Sequence, residues 1–435
     1  MAAERYVLLG LAPPRTGWFE SVAQWTMSAS IAAEFVKCVS AEEVRARLAS
    51  GRQHSALLVD VGLRSFDRDL VDACIACATP VIAVRSGGGP TFSASDLGVS
   101  AELAGEFRPD DLTEVLAVHC RPVGRGDRLP PALDESSSPR WLAPMYAVCG
   151  PGGTGASTVA IALAQGLGHD ARYGRRVLLA DLARRADQAM FHDAIDLGPG
   201  LQELVEAHRV QRPGPEDVAG MTFDVPRRGY RLLLGLRQPE LWAALRPRAV
   251  DAAVTGLRRT FQLVVADVTG DVEGEAEGGS PDVEERNHLA RAATRNATVT
   301  VVVGAPGMKG VHSLASLIRA LVRAGVSADR LVAVINRGPR HPGARAEAAR
   351  ALAELLSGTG IELPLSGPVH SPERKLEETL REGTALPLAM VDPLVRAVEA
   401  VAERVADAEP AHVAAVRIAP GSLGSWSADV ETGPS

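Results

Sequence analysis

Short apolar blocks alternate along this chain with longer stretches that are apolar on one side only. In residues 1–120 the runs Tyr6–Leu11, Phe35–Val39, Ala56–Val61 and Pro80–Val84 predict strands, while Ala41–Leu48 and Ser65–Cys77 carry apolar positions at helical spacing. The same rhythm returns over a greater length after residue 143. There, strands are predicted at Tyr146–Cys149, Arg176–Asp181, Leu232–Gly235, Leu263–Asp267, Val299–Val303 and Leu331–Asn336. Helices are predicted at Ala156–Gly168, Ala249–Thr260, Gly310–Ala324, Ala344–Leu356 and Pro393–Ala406. Strands alternating with helices imply mainly parallel sheets covered on both faces, so both halves read as α/β.

The rhythm stops between Arg121 and Arg140, in RPVGRGDRLPPALDESSSPR, whose prolines, glycines and serines cannot build a core. It stops again in the tail beyond Pro410. The expected division is a first domain at 1–120, a flexible linker at 121–142, a second domain at 143–410 and a disordered tail at 411–435, with Trp426 as a short docking residue. No internal repeat is visible. No apolar run approaches the roughly 18–20 residues that span a bilayer. The start of the chain, with Glu4 and Pro13-Pro14, has neither the basic end nor the apolar middle of a secretory signal. A soluble, cytoplasmic protein is expected.

The balance of 46% hydrophobic and 23% charged residues in a chain of 435 is that of a globular protein. Net charge is −7, from 46 basic and 53 acidic residues, and gives no strong nucleic-acid signal. Only three basic residues are lysines: Lys37, Lys309 and Lys375. Five cysteines, an odd count, do not suggest a disulfide framework. Cys74 and Cys77 form a CxxC with no second pair to complete a zinc site, so both thiols are expected on one buried helix face. The acidic run Asp271–Glu285 reads as a solvated loop, and the last helix as core packing, because it mixes Arg396 and Arg404 with Glu399, Glu403 and Asp407. There is no nucleophile elbow and no H-E-x-x-H, and the ten histidines do not cluster.

The chemistry concentrates after Cys149, where Gly150-Pro-Gly-Gly-Thr-Gly-Ala-Ser-Thr158 joins a strand to an apolar helix. A glycine-rich turn there exposes successive N–H groups, and the helix N-terminus adds partial positive charge. Three readings stand on this segment alone. It is a phosphate loop, or a GxGxxG dinucleotide loop built on Gly150, Gly152 and Gly155, or a tight turn with no ligand. The dinucleotide reading wants an acid about 20 residues on, and Asp181 lies 26 after Gly155, a loose fit.

The stretch GPGGTGASTVAIALA resembles the deviant Walker-type phosphate loop of the MinD/ParA family, Lys-Gly-Gly-x-Gly-Lys-[Ser/Thr]-Thr, at Gly152, Gly153, Gly155, Ser157 and Thr158. Pro151 and Ala156 replace its two lysines. RRVLLADLARRAD resembles the family's second strand, with Asp181 as its first acid and Ala183 in place of the second. FQLVVADVTG resembles the strand on the Mg²⁺ side, with Asp267 as its acid, and LVAVINRGPR the strand whose Asn, here Asn336, sits by adenine. The resemblance extends over Met145–Val405. It implies ATP or ADP with Mg²⁺ as cofactor. Gly152, Gly153, Thr154, Gly155, Ala156, Ser157, Thr158 and Asn336 would hold the nucleotide, and Ser157, Asp181 and Asp267 the metal.

In the first domain, Asp60, Ser86 and Arg108-Pro109 resemble the phosphoacceptor, hydroxyl and Lys-Pro positions of response-regulator receivers. The first strand lacks the paired acids that hold Mg²⁺, and Arg is a poor substitute for the compact charge of Lys, so the implied unit is a flavodoxin-like pseudo-receiver. A pseudo-receiver joined to a degenerate MinD/ParA domain is similar to the CpaE/TadZ group, the localisation factors of Tad (Flp-type) pilus secretion, whose actinobacterial relatives are described as septum-site-determining. The group implies a homodimer and secretion-ATPase, pilus or cell-division partners. It also implies recruitment to a pole, septum or inner membrane face, with membrane contact indirect. A lysine charge about 4 Å from phosphate at an effective dielectric near 20 is worth about 4 kcal/mol. Its loss at Ala156 slows phosphoryl transfer roughly a thousandfold unless Arg184 or Arg185 substitutes. Nucleotide binding with weak or absent hydrolysis is expected. The rivals are an active ATPase cycling between monomer and dimer, an NAD(P)-binding oxidoreductase and, more weakly, a DNA-partitioning protein.

Overall fold

The computed structural model describes residues 5–13, 16–50, 52–86, 97–123, 141–174, 176–372 and 376–408. The interior of the expected linker (124–140), Lys375 and the tail with Trp426 lie outside them. Five parallel strands form a first sheet: β1 (Tyr6–Leu11), β2 (Ala33–Cys38), β3 (Ala56–Asp60), β4 (Val81–Arg85) and β5 (Ala101–Ala104), in the order β2-β1-β3-β4-β5. That is the doubly wound, flavodoxin-like order. Every residue of β3 is buried, as a strand covered on both faces requires.

Four helices cover this sheet: α1 (Gly17–Met27), α2 (Ala41–Ala49), α3 (Arg68–Ala76) and α4 (Pro109–His119). Ser40 and Asp67 start α2 and α3 by accepting the N–H groups of Glu43 (3.2 Å) and Leu70 (3.0 Å). Both thiols of the CxxC turn toward the same apolar core, to different depths. Cys74 is buried, with its thiol pushed up to about 12, whereas α3 ends at Ala76 and leaves Cys77 half-buried beyond it.

The second sheet has eight strands: β6 (Met145–Cys149), β7 (Val177–Asp181), β8 (Phe223–Val225), β9 (Tyr230–Leu233), β10 (Leu263–Asp267), β11 (Val299–Gly304), β12 (Leu331–Gly338) and β13 (Val369–Pro372). Their order is β13-β12-β11-β6-β10-β7-β9-β8, parallel except for the β8–β9 edge pair. The chain lays β7 to β10 on one side of β6 and β11 to β13 on the other. Open α/β sheets bind ligands at such a reversal, beyond the carboxyl ends of the strands.

α5 (Ala156–Gly168), which follows β6, carries no charge and is apolar on nearly every side, so it must be enclosed. It lies between the sheet and the final helix, Leu388–Ala408, and a Cβ on Gly166 would come within 2.5 Å of Val395 Cγ2. That final helix begins five residues before the expected Pro393, which sits inside it. Its entry is fixed by Gln165, whose amide accepts from Leu386 N–H (2.7 Å) and donates to Leu386 C=O (3.0 Å). The acidic stretch expected as a loop holds two short helices, Glu275–Gly278 and Pro281–Arg286; the Ser280 hydroxyl caps the second by accepting from Asp282 N–H (3.2 Å). The two sheets meet through α3. Arg68 Nε donates to His208 C=O (2.8 Å), and Arg209 pairs with Asp67 (3.5 Å). No helix among the described residues is long and apolar enough to cross a membrane.

Candidate functional site

The loop after β6 is held by two contacts from its own threonine. Thr154 N–H and Oγ1 both donate to Pro151 C=O (3.2 and 2.8 Å). Gly153 and Gly155 take left-handed φ values of +78° and +82°. At Gly155 a Cβ would lie 2.3 Å from Asn336 Nδ2, which itself donates to Thr154 C=O (2.9 Å), so glycine is needed there for packing as well. Gly152 differs: nothing lies within 4 Å of where its Cβ would stand. The protein does not need glycine at that position, but a ligand approaching the backbone does.

Gly155 has no side chain to cap α5, and the first turn carries no acid. The N–H groups of Ala156, Ser157 and Thr158 therefore lack intrahelical partners, and the helix dipole is uncompensated. These groups face a cleft of about 1050 Å³ at the sheet reversal, lined also by Asp267, Arg184 and Arg337. Such a cradle fits a phosphate.

Beside it, β7 and β10 place Asp181 and Asp267 as direct register partners. Asp267 is 2% exposed, and burial pushes its carboxyl up to about 6, against the pull of hydrogen bonds from Gln188 and Ser157. Gln188 Nε2 donates to Asp267 Oδ2 (2.6 Å) and to Ser157 C=O (3.3 Å). Asp181 is wholly buried and is pushed well above the carboxylate range by desolvation and by the neighbouring Asp267 charge. Its two oxygens accept from Ala183 N–H (3.2 Å) and Gln188 N–H (2.9 Å), and it does not line the cleft. The expected metal trio is thus split: Ser157 and Asp267 reach the cleft, and Asp181 supports them from behind. No group of three His, Cys, Asp or Glu among the described residues could hold a metal alone. One carboxylate and one hydroxyl fit Mg²⁺ only when phosphate oxygens complete its shell.

All eight expected nucleotide positions, from Gly152 to Thr158 and Asn336, do line the cleft. Sequence reasoning missed Gln188 and Arg337. Gln188 belongs to no periodic pattern, and Arg337 lies just past the expected end of β12. Of the arginines proposed as substitutes for lysine, Arg184 is engaged with Asp271 (3.3 Å) and Arg185 is exposed at the rim.

In the first sheet Asp60 is 2% exposed and accepts from Trp18 Nε1 (3.0 Å), Gly62 N–H (2.8 Å) and the Ser86 hydroxyl. Trp18 comes from α1, an element the sequence pattern did not predict. Arg108 is exposed at the start of α4, where its N–H donates to Asp111 (2.7 Å).

No protein-family model and no curated protein matches this chain. Solved structures do. One is a ParA family ATPase from Chlorobium tepidum, at 14% identity over 60% of this chain and 98% of that one, with a TM-score of 0.46. A second is a putative plasmid partition protein from Borrelia burgdorferi bound to AMPPNP, at 14% identity over 60% and 99%, with a TM-score of 0.43. A third is the septum site-determining protein MinD of Pyrococcus horikoshii complexed with Mg-ADP, at 19% identity over 60% and 95%, with a TM-score of 0.41.

Proposed function

We propose that this chain is a nucleotide-binding localisation scaffold of MinD/ParA type, positioning Tad/Flp pilus secretion or septum machinery, with hydrolysis weak or absent. One observation carries the reading. The turn from Gly150 to Gly155 keeps the open backbone amides of a phosphate cradle while Ala156 stands where the resemblance expects the phosphate-contacting lysine.

In this reading the loop amides bind the phosphates, Asn336 holds the loop from behind, and Ser157 and Asp267 would hold Mg²⁺ together with the phosphate oxygens. The metal, when bound, supplies charge neutralisation at the phosphates. Ala183 presents no second acid to orient water. Residues 1–120 act as a pseudo-receiver for docking, joined through 121–142 to the nucleotide unit at 143–410. Burial of Asp60 under Trp18, with neutral donors on its oxygens, supports a structural rather than phosphoacceptor role. The homodimer and the pilus or division partners belong to the same proposal, and the resemblance is their support.

An ATPase cycling between monomer and dimer is the competing reading, favoured by the arginines around the cleft. The dinucleotide reading is disfavoured, because Asp181 is wholly buried and does not line the cleft, out of reach of a ribose. Calorimetric titration of Mg-ATP into the full chain tests the proposal, with Ser157→Ala as control and phosphate release measured in parallel. Micromolar binding lost in the variant, without turnover, is the expected result. Robust Mg²⁺-dependent turnover abolished by Ser157→Ala would sink the scaffold reading in favour of the ATPase. No heat at millimolar ATP would remove nucleotide from it altogether.

A further inference from the structure

β12 buries every residue except one. The exception is Arg337, and three features single it out. First, the β12–β13 pairing shifts register between Ile335 and Gly338, a bulge at the residues that face the loop. Bulges beside clefts re-aim side chains. Second, Arg337 takes a left-handed φ of +53°, which a non-glycine residue adopts only under constraint from its surroundings. Asn336 supplies that constraint, since its Oδ1 accepts Arg337 N–H (2.9 Å) while its Nδ2 holds Thr154 C=O (2.9 Å). Third, the guanidinium turns back onto the loop and donates through Nη2 to Gly153 C=O.

Asn336 and Arg337 therefore grip the loop at successive residues, one through an amide and one through a cation. The cation matters because the loop has none of its own. Arg184 has its charge answered by Asp271 (3.3 Å). Among the described residues Lys37 lies over the Phe19 ring in the first sheet (5.4 Å), and Lys309 is not among the cleft's lining residues. Arg337 has only a neutral carbonyl as its partner and no carboxylate among the described residues. A carbonyl is a weaker acceptor for a guanidinium than an anionic oxygen, which takes a charge-assisted, often bidentate bond.

We propose that Arg337 supplies the positive charge this phosphate loop lacks, exchanging the Gly153 carbonyl for the terminal phosphates of a nucleoside di- or triphosphate. This rests on the phosphate-binding reading above and deepens it. The cation comes from the end of β12, from the residue after Asn336, rather than from α5. Selectivity should follow the number of phosphates: ATP and ADP engage Arg337, and AMP does not reach it.

The test titrates Mg-ATP, Mg-ADP and AMP into the full chain carrying Arg337→Ala, Arg337→Gly, Arg337→Lys or Arg184→Ala, with thermal melting of each. Arg337→Ala and Arg337→Gly should each weaken ATP binding by about tenfold or more and leave AMP unchanged. Arg337→Lys should retain an intermediate affinity. Arg337→Gly separates charge from backbone, since it relieves the left-handed φ and should melt no lower than the alanine variant while binding ATP no better. Wild-type affinity for ATP in the alanine and glycine variants overturns the proposal, as does a larger loss in Arg184→Ala. Equal losses for ATP and AMP with a lowered melting temperature also overturn it, because they mark a structural role. An absence of ATP binding in the wild type overturns the phosphate-binding reading itself, and that outcome is distinct from the others.

Discussion

Two glycines three residues apart in the loop after β6 should respond oppositely to alanine. At Gly155 the new Cβ would sit 2.3 Å from Asn336 Nδ2, and φ is +82°. The left-handed backbone costs about 1 kcal/mol. Asn336 must also withdraw from Thr154 C=O, leaving a buried amide short of a partner at about 1–3 kcal/mol. Gly155→Ala should therefore lose roughly 2–4 kcal/mol of stability. At Gly152 nothing lies within 4 Å of the added carbon, and the change in stability should stay within about 0.5 kcal/mol. Gly152 lines the cleft, so in the phosphate-binding reading an added Cβ holds the ligand off the backbone, and Gly152→Ala should cut nucleotide affinity by about tenfold or more while the protein melts normally. Urea unfolding of both variants, with calorimetric titration of Gly152→Ala, measures both halves. Equal destabilisation of the two would refute the packing argument, and wild-type affinity in Gly152→Ala would refute the claim that this loop is open for a ligand.

Further outcomes follow from buried polar groups elsewhere around the second sheet. Burial pushes His192 down to about 4, with Nδ1 donating to Gln188 C=O (2.7 Å) and Nε2 accepting from Tyr230 OH (2.7 Å). Protons then favour the unfolded chain. The stability that depends on neutral His192 is complete above pH 6.5 and lost as pH falls toward 4, about 3 kcal/mol in all, and His192→Gln should flatten that part of an acid-unfolding profile. Gln165→Leu leaves the N–H and C=O of Leu386 unpaired and should cost roughly 2–5 kcal/mol by chemical denaturation. Arg228, wholly buried, donates to the carbonyls of Thr384 (3.1 Å) and Thr379 (3.2 Å); Arg228→Met should speed amide exchange across residues 379–384 and destabilise by about 2–4 kcal/mol.

How much of this was legible in the sequence varied with the element. β1, β10 and α5 fall where the pattern placed them, because each is a dense apolar run with clear punctuation. α1 escaped notice since only Trp18 and Val22 are buried in it, too few for a helical stripe. β8 is three residues long, and β13 ends in Pro372, which suits an edge strand but reads as a break. The glycine loop was legible as a strand-to-helix turn: Gly153 and Gly155 take left-handed φ there, and all its glycines line one cleft. The cation was not. β12 was expected to stop at Asn336, and that boundary cut off Arg337, whose left-handed φ and irregular pairing with β13 no spacing rule reveals. Gln188 was invisible for a similar reason: its importance lies in joining Asp181 to Asp267, two strands that are neighbours in space and far apart along the chain.

The close packing at Gly166 also has a mechanical side. α5 begins at the phosphate loop and is clamped to the final helix by the Val391 and Val395 contacts and by the Gln165 bridge to Leu386. The final helix then runs 21 residues, about 30 Å, before the chain continues into its last segment. Two rods bolted side by side move as one lever. A load that stiffens or tilts α5 bears on the final helix at Val391 and Val395, on either side of Pro393, where an internal proline lets the helix bend. The loop end of α5 and the final helix are thus parts of one beam. Amide exchange along residues 388–408 should slow when the cleft is filled, and an unchanged rate would show that the beam is not loaded from that end.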